Sequence, residues 1–401
     1  MKPITSVTTN WQRAIKWPLV AALLYALSGC TSMGYYWQSV SGHVQMMRAA
    51  KPVDDWLADT QTLPALKDKL ALSQRLRRFS VTELHLPDNP SYTRYADLQR
   101  SAVVWNVVAA PAYSLTLNTW CFPVAGCVGY RGYFDQAQAQ AEGDRLRDQG
   151  LEVSVYGVPA YSTLGWMNWA GGDPLLSTFI KQPEGELARL IFHELSHQVL
   201  YVSGDTMFNE SFATAVERLG SQRWLATHAD QAARDQYALY DSRRQAIKAL
   251  ASQTRAELKQ IYQRDEDAIK NPSTATSDRM AKEKAQAMLQ LSQRYAVLKE
   301  SWGGYTGYDG WMARANNASL GAQAAYDELV PGFEALFARE GGDWQRFFAA
   351  VRKLSELSRD QRRIALGSSA EKSTPLANHS LNNHNQTSTN NPQVAFVAGQ
   401  N

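Results

Sequence analysis

Cysteine is scarce, with three in 401 residues. Cys121 and Cys127 have no further Cys or His nearby to complete four ligands, so they do not make a structural zinc cluster. Long apolar runs are missing after residue 30, so nothing later is expected to cross a bilayer. No internal repeat is present, and neither sign of charge prevails: 41 Lys and Arg stand against 38 Asp and Glu. Length and ordinary apolar and charged fractions leave a globular protein of one large domain or two smaller ones.

The N-terminus is different in kind. Lys2, Arg13 and Lys16 form a basic region, "WPLVAALLYAL" (17–27) is apolar but too short to span, and "LSGC" follows. This resembles a bacterial lipoprotein signal, which implies cleavage of residues 1–29 and a lipid on Cys30. With Thr31 and Ser32 next, the resemblance points to the periplasmic face of the outer membrane. Cleavage removes three cations and no anion, leaving 38 of each sign; such a chain is not expected to bind nucleic acid. In an oxidising envelope, Cys121 and Cys127 in "WCFPVAGCVGY" are expected to form a disulfide closing a small hairpin-like loop.

Residues 31–80 have helical spacing, broken near Pro64. "AVVWNVVAA" (102–110), "YSLTLNTW" (113–120) and "LEVSVYGVPAYSTLGW" (151–166) read as strands, and "FDQAQAQAEGDRLRDQG" (134–150) as a helix. Beyond Glu184 the chain turns helical. Residues 224–300 read as a long antiparallel helical hairpin turning at Asn271–Ser277, either a solvated arm or a substrate clamp. A further helical stretch covers about 316–357, and the polar composition of 367–401 predicts a disordered tail. The mature domain is thus 30–366, with the hairpin inside it.

The chemistry is concentrated in "IFHELSHQVLYVSGDTMFNESFATAVERLG" (191–220). Four residues apart on a helix, His193 and His197 present two imidazoles to one point, with Glu194 one step round. H-E-x-x-H supplies two zinc ligands and a general base. A catalytic zinc needs a third protein ligand and one open position. If the first helix runs to about Val202 and a second starts near Phe208, Glu210 returns to the histidine pair and supplies that ligand. Zinc then acidifies a water whose proton Glu194 accepts. Glu217, on the face of Glu210, either orients a ligating histidine or pairs with Arg218 or Arg223. Tyr161, Tyr305 and Tyr308 are candidate oxyanion donors, and "VYGVPAYSTLG" could pair with a peptide as an edge strand.

"HELSHQ" followed by "NESFAT" resembles the zinc aminopeptidases, in which H-E-x-x-H precedes N-E-x-F-A. With "LPDNPSYTRYADL", "CFPVAGCVGYRGYFD", "YSTLGW", "DPLLST", "NNASL" and "ELVPGFEAL", the chain is similar to a bacterial lipoprotein family of predicted aminopeptidases. The resemblance implies an α+β, zincin-like fold with a small mixed sheet on the active-site helix and a mainly helical C-terminal part. It also implies one Zn²⁺ held by His193, His197 and Glu210, with Glu194 as base and peptides as substrates. The large aminopeptidases hold the substrate amine with a glutamate in a Gly-x-Met-Glu-Asn segment. This chain has "LGWMNWAGGDP" (164–174) instead, where Asp173 is the nearest carboxylate for that role. An envelope endopeptidase and a non-catalytic lipoprotein scaffold working through the hairpin are the alternatives.

Overall fold

The computed structural model describes residues 34–122, 126–264 and 274–370. Cys30 and the signal segment lie outside the described residues, as does the tail beyond 370. The helices are α1 (34–49), α2 (Val53–Ala58), α3 (Pro64–Thr82), α4 (Gln136–Asp148), α5 (Glu184–Ser196), α6 (Thr206–His228), α7 (Gln231–Arg264), α8 (Thr274–Ser301), α9 (Asp309–Met312), α10 (Asn317–Asp327), α11 (Val330–Arg339), α12 (Trp344–Ser355) and α13 (Arg359–Ala370). Among the described residues, no helix is long and apolar enough to cross a membrane. Pro64 occupies the first turn of α3, where its missing N–H costs nothing, so it starts that helix. α13 runs four residues past the expected tail boundary at 366.

The fold is mixed α and β, but in place of one small mixed sheet there are three small β units. β1 (Lys51–Pro52), β2 (Arg94–Ala96) and β8 (Leu175–Leu176) form a mixed sheet. β6 (Arg131–Tyr133), β3 (Val104–Pro111) and β7 (Leu151–Val158) form an antiparallel one in that order, so β7 is an edge. β4 (Trp120–Phe122) and β5 (Gly126–Val128) make a ribbon in which Cys121 faces Cys127, and the two are disulfide-bonded. "YSLTLNTW" is strand only at Trp120. Both edges of β3 are already taken by β6 and β7, so residues 113–119 cannot pair along it. Asn118 N–H reaches the Ala109 carbonyl at 2.7 Å and Ser114 N–H the Pro111 carbonyl at 3.2 Å, and Leu117 packs beside α10.

Alternation along β3 divides its surroundings. Trp105, Val107 and Ala109 pack with Ala139 and Leu146 of α4. On the other face Val108 and Ala110 meet Ala318 and Ala322 of α10, while Val104 and Asn106 are left to line a cavity.

The main core surrounds α5, which is buried at twelve of its thirteen residues. Phe192 packs beside Phe79 of α3, with ring centroids 5.9 Å apart. Gly220 lets α6 approach: a Cβ there would lie 2.7 Å from Leu84 Cδ1 and 3.0 Å from Phe192 Cδ2. At the other end of α6, Asp205 caps the helix, accepting from Phe208 N–H at 3.4 Å. The same carboxylate receives Arg362 of α13 at 2.7 and 3.0 Å, and Arg359 donates to the Gly204 carbonyl. The C-terminal helix thereby clasps the turn joining α5 to α6.

α7 and α8 form the expected hairpin, starting at 231, because Trp224 still belongs to α6. Its connection, 265–273, lies outside the described residues. Thr274–Ser277, expected in the turn, already belong to α8. The hairpin is docked, not free: Tyr237 abuts Gly185 of α5, and Leu258 and Leu291 share a cluster with Trp311 and Leu320.

Candidate metal centre

α5 ends at Ser196, six residues short of the expected Val202. His197 sits at its C-cap, still with right-handed helical backbone (φ −61°, ψ −20°), so the i,i+4 relation to His193 survives. The helix stops because the chain beyond is held in another shape. Asn209 accepts from the Val202 N–H and donates to the Val202 carbonyl, both at 2.8 Å, so one buried side chain fixes the loop that carries Tyr201. α6 then begins at Thr206, two residues earlier than expected, and Glu210 opens its second turn.

This geometry brings three donor atoms together. His193 Nε2 lies 3.3 Å from His197 Nε2 and 3.3 Å from Glu210 Oε2, and His197 Nε2 lies 3.7 Å from that oxygen. Tetrahedral bonds of about 2.05 Å place neighbouring ligand atoms about 3.3–3.4 Å apart. All three residues are buried, and they form the one metal-competent His/Cys/Asp/Glu group found among the described residues. Glu210 Oε2 is buried and faces two ring nitrogens, neither at good hydrogen-bond geometry. A buried carboxylate oxygen left so is costly unless a cation meets it. The residues therefore fit a divalent metal.

Electrostatics agree. Burial and the neighbouring His193 keep the His197 pKa well below the usual range, so its ring is neutral and able to ligate. On His193 burial opposes the charge, but the Glu210 and Glu217 carboxylates outweigh it and raise the pKa to about 10. Burial pushes Glu210 up, against the pull of His193.

Of the two partners open to Glu217, the structure selects the histidine. Its Oε2 lies 3.0 Å from His193 Nδ1, turning Nε2 toward the other donors. Arg218 pairs instead with Glu334 at 3.1 Å, and Arg223 with Glu83 at 2.7 Å. Behind Glu217 a chain of ions runs through the core that the sequence reading missed. Arg189 bonds Glu217 and reaches Glu186 at 3.1 Å. Arg244 of α7 grips the same Glu186 at 2.9 and 3.1 Å. Glu186, Arg189 and His193 fall at i, i+3 and i+7, one polar line on an otherwise apolar helix, and that was the available signal.

The remaining candidates scatter. Glu194 is buried beside His193. Asp173 is fully buried away from the cavity wall: Thr163 N–H and Oγ1 donate to it at 3.1 and 2.7 Å, and Ser162 Oγ at 3.4 Å. It braces the 162–164 loop and has no free oxygen to offer an amine. Tyr305 stacks under Arg243 at 4.1 Å, and Tyr308 packs beside it in the hairpin cluster; neither borders the cavity. Tyr161 does, together with Tyr130 and Tyr201, which the sequence reading did not single out. Burial, then the Glu210 charge, raises both of the latter phenols, Tyr201 to about 12, so they remain protonated donors.

No curated protein and no solved structure is significantly similar to the chain. The family model described as "Putative aminopeptidase" matches residues 34–366, so the chain belongs to that family.

Proposed function

We propose that the protein is a zinc-dependent, zincin-like peptidase, held in the cell envelope by a lipid on Cys30. The observation that carries this reading is the convergence of His193, His197 and Glu210 at tetrahedral spacing. Two imidazoles and one carboxylate suit zinc and leave a fourth position. When bound, the metal supplies Lewis-acid chemistry, polarising a carbonyl and acidifying a water. Glu194, buried beside His193, would be the general base toward the attacking water and would return the proton to the departing amine. Glu217 holds the His193 ring so that Nε2, not Nδ1, faces the site. Tyr130 or Tyr201 donates to the oxygen on which negative charge grows.

The family name favours an aminopeptidase of short peptides. Against this stand the sequestered Asp173 and a cavity wall whose only carboxylate among the described residues is Glu210, an arrangement that favours cleavage within a chain. Zinc-loaded protein should contain about one zinc per chain, and Glu194→Gln should keep the metal while hydrolysis falls by orders of magnitude. Undiminished hydrolysis by Glu194→Gln would sink the mechanism. Comparison of a free peptide with its N-acetylated form decides between the exo- and endopeptidase versions. A protein that binds metal and cleaves neither peptide would be a scaffold.

A further inference from the structure

Beside the donor triad lies a cavity of about 310 Å³, at the small end for a ligand site and sized for one or two residues. His197 and Glu210 form part of its wall. Apart from Ser39, Asn106 and Ser162, the rest is apolar or aromatic, including Tyr35 and Tyr36 from α1, Phe122 from the disulfide ribbon, Phe134 and Tyr161. Among the described residues that line it there is no Lys, Arg or Asp, and no Glu besides Glu210. Cations nearby are committed elsewhere. Arg131 stacks on Tyr35 at 4.1 Å and reaches Glu142 at 3.4 Å. Arg100 donates to the Phe134 and Val103 carbonyls, both at 2.8 Å. With Glu210 taken up by the metal, a charged side chain entering here would lose its water and meet no counter-ion among the described lining residues.

One wall residue is both buried and poorly paired. Asn106 of β3 is 1% exposed, and its amide nitrogen has no well-formed hydrogen bond; the Tyr156 phenol, whose pKa burial raises and this amide partly lowers, is its neighbour of that kind. A buried donor so weakly paired costs free energy that a ligand with a better-placed acceptor can recover.

We infer that this cavity is the specificity pocket for an uncharged aromatic side chain, tyrosyl by preference, with Asn106 reading the hydroxyl. The inference rests on the peptidase reading for its substrate class, because the pocket shares His197 and Glu210 with the metal centre. The aromatic walls offer edge and face contacts to a ring, and the Asn106 amide nitrogen donates to the phenol oxygen.

The test uses zinc-loaded, full-length Glu194→Gln, in which binding is separated from turnover. Alanine pentapeptides carrying one Tyr, Phe, Lys, Glu or no substitution, free and N-acetylated, are titrated calorimetrically. Phe should bind roughly 10–100-fold tighter than Ala, from burial of its ring, and Tyr roughly 3–10-fold tighter than Phe, from one hydrogen bond. Lys and Glu should bind no better than Ala. Asn106→Leu, which removes the amide donor without emptying the wall, should erase the Tyr-over-Phe ratio and keep the Phe-over-Ala ratio. Ser39→Asp, on the α1 side of the wall, should raise affinity for the Lys peptide. Equal affinity for Lys and Phe would overturn the pocket; an unchanged Tyr/Phe ratio in Asn106→Leu would remove Asn106 from it. Selective binding by the variant, beside a wild-type protein that hydrolyses none of these peptides, would sink the peptidase reading and leave the pocket standing. Hydrolysis by the wild type without selective binding would do the reverse.

Discussion

Glu217→Gln is the sharpest probe of how the fold holds its metal ligands. The Glu217 carboxylate faces His193 Nδ1 with one oxygen at 3.0 Å and Arg189 with the other. Glutamine keeps the volume and can still accept from His193, but the charge is gone. Arg189 is 3% exposed, and its other acidic partner, Glu186, is shared with Arg244. The variant therefore leaves a buried guanidinium in surplus, at a cost of about 3–5 kcal/mol. It also weakens the orientation and basicity of His193, and such outer contacts change metal affinity about 10–100-fold. Urea unfolding with metal chelated measures the first effect. Competition for zinc against a chromophoric chelator measures the second. The double variant Glu217→Gln/Arg189→Met separates them: it removes the surplus cation, so most of the stability should return, whereas zinc affinity should stay low. If Glu217→Gln unfolds early but binds zinc within twofold of the wild type, Glu217 is only a counter-ion for Arg189, and its role at the metal centre is refuted.

Other expectations follow from the same geometry. Arg362→Leu leaves Asp205 buried with only its helix-capping bond, and should cost about 3–5 kcal/mol; limited proteolysis should then cut α13 first. Gly220→Ala pushes a methyl against Leu84 and Phe192 and should destabilise the fold by about 1–3 kcal/mol in thermal unfolding, with zinc affinity little changed. The metal must expel the proton that Glu210 and Glu217 hold on His193, whose pKa is raised to about 10. Below that pH the protonated form competes, so apparent zinc affinity should climb by about tenfold per pH unit and proton release should show in buffers of different ionisation enthalpy. A pH-independent affinity between 6 and 8 would contradict that assignment.

What could be read from sequence was local. The triad was legible because His193 and His197 are related by helical periodicity alone, and a helix–turn–helix return needs few assumptions to deliver Glu210. The end of α5 was not, because it depends on Asn209, well beyond the helix in sequence, whose side chain fixes Val202 in a non-helical loop. The strand propensity of 113–120 was real, but a strand needs a free edge, and β3 had none. Asp173 was chosen for its distance along the chain; burial against Thr163 is a fact of tertiary packing. Arg244 and Glu186 are separated by 58 residues, and only the docking of α7 on α5 joins them. The tyrosines show the same limit: Tyr305 and Tyr308 stood out in a Gly/Tyr loop, whereas Tyr130 and Tyr201 border the cavity from segments read for their cysteines and histidines.

Counting charges in the core explains why a helix buried on every side can carry so many ionisable groups. Glu186, Glu194, Glu210 and Glu217 are each no more than 4% exposed, and against them stand two comparably buried guanidiniums, Arg189 and Arg244. With both histidines neutral, the cluster holds two negative charges more than its cations neutralise. Without a metal, part of that excess falls to the proton on His193, which is why its pKa is high although burial alone would lower it. A divalent ion among His193, His197 and Glu210 removes the whole excess and lets both rings be neutral ligands. The ion chain from Arg244 to Glu217 neutralises the far half of the cluster, and its near half is left two charges short of neutrality. A dication bound there would thus be matched by the four carboxylates and two arginines together, not by the three donor residues alone.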